Sequence, residues 1–335
     1  MKVVEIRDNY GVDSLRLVQR PEPAPGPGQV VLKMKAFSIN YRDLLVVNGV
    51  GRWKPPLGRV PVSDGVGIVV AAGSGVTRVR IGDRVSPIFY PKWLEGRVAS
   101  GKMGHALGGA VADGVFSEYT LFDECSLVHL PAHLTDEQAA TLPCAGVTAW
   151  NALLSFGNGI PGDSVVVLGT GGVSIFALQF AKLRGARVII TSSSDQKLAR
   201  ARELGADAAI NYKANPDWPN AIAALTDGAA ADYVVDTVGD LKKAIAAVRL
   251  GGTVSFVGLL NGMIAEVDLV TFMGKSARVE SVDVGSREMF EAMNKAIAFH
   301  AMRPVVDRVF GFSELPQALN YLNQGRHFGK VCLRI

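Results

Sequence analysis

The stretch "SVVVLGTGGVSIFALQFAKLRGARVIITSSS" (164–194) constrains this chain more than any other. A continuous apolar, β-branched run passes through Gly169-Thr170-Gly171-Gly172-Val173-Ser174 into a helical pattern, and a second apolar run follows. Strands covered on both faces read this way, which points to the parallel sheet of an α/β protein. Gly169 permits a sharp turn and Gly171 lets the backbone approach a pyrophosphate. The helix behind them offers N–H groups and a positive dipole end to phosphates. Ser174 stands at the third glycine of the usual fingerprint and is small enough for close helix–strand packing. A lone glycine triplet says little; the strand–turn–helix context makes this one a dinucleotide-site signal.

Further strands follow in the same rhythm: "AAINY", "DYVVDTVG", "TVSFVG" and "RVESVDVG". With "SVVVLG" and "RVIITS" they predict a six-stranded, doubly wound parallel sheet. A site preferring NADH would carry Asp or Glu near Thr191 or Ser192, to bond the ribose 2′-hydroxyl. Here Ser192, Ser193 and then Lys197 occupy that region, a set suited to the 2′-phosphate of NADPH. Asp195 counts slightly against this reading, and Ser194 or Asp195 also serves as a cap for the next helix.

The first third is strand-rich, with "QVVLKMKAFSI" and "GVGIVVAAGSGVTRVRIGDRV" as its clearest strands, and 87–114 reads as a long loop. "TDEQAATLPCAGVTAWNALLSF" has helical spacing and a Thr135/Gln138 capping box. The end of the chain is expected to pack back on the N-terminal domain. At 335 residues, two domains are expected. A net charge of +4 is too small and scattered for nucleic acid, and no run of about 18 apolar residues suggests a membrane span. Three cysteines in no disulfide pattern, with no signal-peptide h-region, suit the reducing cytoplasm.

The motifs "GVGIVVAAGSGVTRVRIGDRV", "LPCAGVTAW", the glycine loop, "LGADAAINY" and the terminal "GKVCLRI" occur in an order that resembles the medium-chain dehydrogenase/reductase superfamily. The resemblance implies a Rossmann domain at 129–286 plus a GroES-like β-barrel catalytic domain from 1–128 and 287–335. It also implies a homodimer through "ARVESVDVG". The zinc-dependent alcohol dehydrogenases of that superfamily hold a catalytic metal with a Cys, a His and often a second Cys. In this chain Asn40 and Ser63 stand at the first two positions and Cys144 alone remains. Residues 86–124, where a structural zinc lobe would fall, contain no cysteine. Zinc sites need at least three protein ligands, so no metal is expected and Cys144 reads as a remnant.

The match with zinc-free, quinone oxidoreductase-like members places Asn40 at a carbonyl or at the nicotinamide ribose. Tyr41 is then a candidate hydrogen-bond or proton donor, with a polar pair that merely fixes a loop as the alternative. Thr148, Tyr212, Gly258, Leu259, Gly329 and Lys330 are implied cofactor contacts, the last two near the phosphates. Trp53 is either at the substrate mouth or a plug in the barrel. Without a Lewis acid, hydride transfer to an acceptor that is already electrophilic, a quinone or an α,β-unsaturated carbonyl, is the expected chemistry. An alcohol dehydrogenase-like activity and a non-catalytic NADPH-binding sensor remain the alternatives. The short-chain dehydrogenases are excluded, because no tyrosine has a lysine four residues on.

Overall fold

The computed structural model describes residues 1–154 and 161–335. It divides into two compact units, Met1–Val147 with Val284–Ile335, and Thr148–Asp283. The first unit opens with an antiparallel pair, β1 (Lys2–Ile6) and β2 (Leu15–Gln19). β3 (Gln29–Ile39) is its long central strand, followed by helix α1 (Tyr41–Val47). Then come β4 (Asp64–Ala72), β5 (Arg84–Pro87), the short helix α2 (Ser100–Met103), β6 (Tyr119–Asp123) and β7 (Leu127–His129). β3 pairs antiparallel with both β4 and β6, and the β3–β4 register slips between Val31 and Leu32 and between Met34 and Ala36. Such bulges bend a strand and increase its twist, letting one strand serve several neighbours.

Residues 87–114 carry little regular structure, as expected, yet they are anchored. Ile88, Phe89, Tyr90, Trp93 and Leu107 are buried, and Arg42 donates to Leu107 O at 2.5 Å. The predicted helical run at 135–156 is broken into pieces. α3 (Asp136–Ala140) has the expected Thr135/Gln138 box. A π-helical turn (Leu142–Gly146) follows, and then α4 (Val147–Leu154). Pro143 in that turn has no N–H to give, and Gly146 N–H reaches five residues back to Thr141 O at 3.4 Å. Ser155 and Phe156, at the end of the predicted run, lie outside the described residues. The first unit extends to Val147, beyond the boundary at 128 drawn from sequence, because α3 packs on β3 and β4.

The second unit alternates β8 (Ser164–Leu168), α5 (Gly172–Leu183), β9 (Arg187–Ser192), α6 (Asp195–Glu203), β10 (Ala208–Asn211), α7 (Trp218–Leu225) and β11 (Ala231–Asp236). α8 (Leu241–Ala247), β12 (Val248–Phe256), α9 (Leu269–Lys275) and β13 (Arg278–Ser281) complete it. The strands are parallel in the order β10-β9-β8-β11-β12-β13, the doubly wound sheet expected from the six apolar runs. Val166, Ile189, Val234 and Val254 are fully buried in its core. Truncating a residue such as Ile189 to alanine costs about 2–5 kcal/mol.

The chain then returns to the first unit through α10 (Arg287–Phe299), β14 (Val306–Gly311), α11 (Leu315–Asn323) and β15 (Lys330–Arg334). β15 pairs antiparallel with the C-terminal half of β3, Val331 opposite Ile39, completing the sheet β14-β15-β3-β4-β5-β7. Among the described residues no helix is long and apolar enough to cross a membrane.

One glycine shows how tightly the sheet's carboxyl edge is packed. A Cβ on Gly258, two residues past β12, would lie 1.7 Å from Thr237 O, on the loop after β11. By contrast, Gly274 in α9 faces open space. Gly258→Ala is therefore expected to destabilise the protein by at least ~2 kcal/mol, and Gly274→Ala to stabilise it by about 0.5–1 kcal/mol. Urea unfolding checks both; equal effects of the two would contradict this packing.

Candidate active site

In the second unit, the turn between β8 and α5 is built as the glycine pattern requires. Gly169 has φ +79°, and Gly171 precedes α5 with no side chain capping the helix. The N–H groups of Gly172, Val173 and their neighbours thus form an uncapped first turn, the anion-binding end of a helix. Ser174 is buried, and its hydroxyl donates to Leu168 O at 2.9 Å and lies 2.9 Å from Thr237 Oγ1. Its hydroxyl clamps α5 onto the ends of β8 and β11. Thr237, which sequence reasoning missed, also donates to Leu168 O at 2.6 Å.

At the tip of β9, Ser192 is buried and accepts from the Ser194 N–H at 3.3 Å, whereas Ser193 is exposed. Ser194 caps α6 by accepting from the Lys197 N–H. The Asp195 carboxylate accepts from Asn211 Nδ2 at 2.8 Å. Tyr212, 40% exposed, hangs beside this tip through its N–H to Ser192 O at 3.1 Å. Asp236, also missed, sits fully buried at the end of β11, where its Oδ1 accepts from the Val238 and Gly239 N–H groups. Burial raises its carboxyl pKa. Gly258 N–H donates to Asp236 O, and Leu259 follows on the same loop. Thr148 is buried in α4. The glycine turn, Ser193 and Tyr212 thus lie at the carboxyl ends of the first three strands, where open α/β sheets bind ligands.

The first unit holds a second constellation, built where β3, β4, β15 and the π-helical turn meet. Asn40 ends β3 and precedes α1; its N–H donates to the Asp43 carboxylate at 2.8 Å. Val62, with φ +70°, turns the chain into Ser63 and Asp64, both fully buried. A β-branched residue in that region is strained, and such strain gathers at functional sites. Ser63 Oγ donates to Asp64 Oδ1 at 2.6 Å, and Cys144 N–H donates to Asp64 Oδ2 at 3.2 Å. Asn40 Nδ2 points to Ser63 Oγ at 3.4 Å.

Lys330 enters from β15 after the turn at Gly329 (φ +80°), and is only 4% exposed. Its ammonium donates to Ile39 O at 2.7 Å and to Asn40 Oδ1 at 2.5 Å. Two of its three N–H bonds are thus engaged inside the first unit, at the end of β3 and at Asn40. Tyr41, the first residue of α1, is 39% exposed beside Asn40. Trp53, partly buried, packs against the core of the first unit with Arg52 over its ring.

The charges here are held under tension. Burial lifts the Asp64 carboxyl above its ordinary range, while Lys330, Ser63 and Asn40 oppose the shift. Burial and the neighbouring Asp64 charge push the Cys144 thiol well above its usual value, which favours the thiol over the thiolate that a nucleophile needs. Burial also raises Asp43 to about 6, against the pull of Arg42. One of its oxygens, Oδ1, has no hydrogen-bond partner.

Two family models match: an alcohol dehydrogenase GroES-like domain over residues 26–132 and a zinc-binding dehydrogenase domain over 172–298. A zinc-type alcohol dehydrogenase-like protein of Schizosaccharomyces pombe is 40% identical, covering 97% of this chain and 96% of the relative. The chain belongs to the medium-chain dehydrogenase/reductase superfamily. It is accordingly an NAD(P)-dependent oxidoreductase. The crystal structure of a putative alcohol dehydrogenase from Sinorhizobium meliloti 1021 is similar, with a TM-score of 0.93 and 39% identity, over 100% of this chain and 99% of that one. A quinone oxidoreductase from Pseudomonas syringae pv. tomato DC3000 is similar over 100% and 99%, with a TM-score of 0.83 and 27% identity.

Zinc is implied by this superfamily, but the donors at the position do not fit it. Asn40 Oδ1 already accepts from an ammonium, and the Ser63 hydroxyl donates its hydrogen bond to Asp64, so neither position offers the thiolate or imidazole that zinc prefers. Zinc takes thiolate, imidazole or carboxylate donors, and two of the superfamily's three ligand positions, Asn40 and Ser63, carry none of these. Among the described residues no three His, Cys, Asp or Glu side chains converge as a metal site. The dinucleotide fits better: an uncapped helix end and a positive-φ glycine turn suit its pyrophosphate.

Asp43 yields a prediction with a definite sign. Its native pKa of about 6 exceeds the ordinary 3.8, so between those values the folded state holds a proton that the unfolded chain has lost. Its contribution to stability is thus fully present below 3.8 and is lost as pH rises through about 6. Asp43→Asn keeps an acceptor for the Asn40 N–H and carries no charge. Its stability relative to wild type should therefore rise by up to about 3 kcal/mol between about pH 4 and pH 7.5. Urea unfolding across that range checks this, and a flat difference would contradict it.

Proposed function

We propose that the protein is a metal-independent, NADPH-dependent reductase that transfers hydride to a quinone or an α,β-unsaturated carbonyl. The observation that carries this reading is the Asn40 carboxamide. Its oxygen faces the Lys330 ammonium and one N–H faces Ser63 Oγ at 3.4 Å, so the second N–H is the donor we assign to an acceptor's oxygen. An acceptor that delocalises incoming charge onto oxygen needs such a donor and no Lewis acid. NADPH, when bound at the glycine turn, supplies the hydride. Ser193 and Lys197 suit its 2′-phosphate, and Asp195, engaged with Asn211, does not compete for a ribose hydroxyl. The Asn40 amide stabilises the enolate or quinol oxygen, and Tyr41, exposed beside it, is the candidate donor of the final proton. The alcohol dehydrogenase names among the relatives favour a second reading, reduction of simple aldehydes or ketones.

We further read the assembly as a homodimer. β13 is the edge strand of its sheet, and Ile264, Val270 and Met273, in the segment that leads into it, are exposed apolar side chains. The free cysteines Cys125, Cys144 and Cys332 suit the cytoplasm.

Chelator-treated protein should oxidise NADPH in preference to NADH when offered quinones or enones, and Lys197→Ala should narrow that preference. Asn40→Ala should lower kcat about 10- to 100-fold with these acceptors, as loss of an oxyanion donor does. Turnover of simple aldehydes alone, and only after zinc is restored, would overturn the proposal. Tight NADPH binding with no turnover of any acceptor would favour a sensor.

A further inference from the structure

The buried lysine at the start of β15 has no part in the dinucleotide site, and its surroundings say what it does. Its ammonium is a donor-only group with three N–H bonds. Two of them go to Ile39 O and Asn40 Oδ1, at 2.7 and 2.5 Å. A carboxamide has one acceptor end and one donor end, and an ammonium bonds only the first. Its presence therefore decides which way the Asn40 amide is turned. The donor end is left facing Ser63 Oγ, 3.4 Å away, with Asp64 behind it holding the Ser63 hydroxyl at 2.6 Å. Nδ2 carries two N–H bonds, and the hydroxyl occupies one of them. Without the ammonium only the long contact to Ser63 Oγ would hold the amide in this sense, and turning over would present a carbonyl oxygen to an acceptor's oxygen and repel it.

The chain goes to some expense to keep this cation in place. Lys330 is almost fully buried, and so are Asp43 and Asp64, whose charges balance it. Buried charges persist only when paired and hydrogen-bonded. Arg42, whose guanidinium lies 3.9 Å from Asp43, is already engaged with Leu107 O. Lysine rather than a neutral residue at this point of β15 is thus matched to its neighbours on α1, β3 and β4.

We propose that Lys330 is the positioning residue of the reduction: it fixes the Asn40 carboxamide with its oxygen on the ammonium and its Nδ2 on the side of Ser63, where one N–H remains for the acceptor. This rests on the proposed carbonyl reduction for its catalytic consequence, but the orientation itself is a property of the resting protein. Lys330 does not touch the acceptor; it acts through Asn40.

The test is a thermodynamic cycle joined to a spectroscopic readout. Lys330→Met leaves Asp64 unbalanced in the interior, so it is paired with Asp64→Asn in a double variant that removes both buried charges. With a quinone or enone, Lys330→Met/Asp64→Asn should lose about tenfold or more in kcat with the KM for NADPH within about twofold. Lys330→Arg, which still donates, should recover a large part of that loss. In an Asn40→Ala background the same double change should have little further effect, because a residue acting through Asn40 has nothing left to position. A full and independent loss in that background would overturn the proposal. Independently of activity, the Asn40 side-chain N–H resonances should exchange slowly with solvent in wild type and in Lys330→Arg. They should lose protection in Lys330→Met/Asp64→Asn, and unchanged protection there would overturn the assigned orientation. If wild type reduces no carbonyl acceptor, the proposed function fails while the exchange measurement still decides the role of Lys330.

Discussion

The bond from the Lys330 ammonium to the Asn40 carboxamide joins residues 290 positions apart, and much of the first unit is arranged around it. It forms only if β15 pairs with the C-terminal half of β3, which brings Val331 opposite Ile39 and Lys330 alongside Asn40. That pairing in turn depends on the chain leaving the Rossmann unit and returning through α10 and α11. Once there, the ammonium must be paid for electrostatically, and the carboxylates of Asp43 and Asp64 serve. Asp64 then holds Ser63 and the π-helical turn at Cys144, so the end of one strand fixes three other segments.

The Rossmann unit is organised by close approach rather than by charge. The turn after β8, the loop after β11 and the loop after β12 press together at the carboxyl edge of the sheet. Thr237 and Ser174 share Leu168 O, and Gly258 lies so close to Thr237 that no side chain fits. These contacts hold the first turn of α5 open and uncapped, which is what a pyrophosphate needs. Ser174 thus serves the packing purpose of the missing third glycine while adding a hydroxyl clamp.

Features set by local pattern were legible in the sequence. Continuous apolar runs marked every strand of the parallel sheet, and Thr135 with Gln138 marked the start of α3. The glycine turn was equally plain, because its meaning lies in six adjacent residues. Features set by long-range contact were not. Lys330 in "GKVCLRI" gives no hint of Asn40, and only the family resemblance suggested a role for it, at the cofactor phosphates. Asp64 in "PVSDGVG" was passed over as a neighbour of the absent zinc ligand. Yet a carboxylate opening a strand of glycine and apolar residues is a signal, since burying it demands a partner; Asp236, closing "DYVVD", is a second case. Pro143 was visible too, but helical spacing on either side masked the π-helical turn it enforces.

An ammonium organises this site, where relatives are named for zinc. The most direct measurement is the metal content of the purified protein by mass spectrometry, set beside its kcat with a quinone or enone before and after chelation. Zinc well below one atom per chain, with turnover unchanged by the chelator, is the predicted result. One zinc per chain, lost on chelation together with activity and restored with it, would contradict the account.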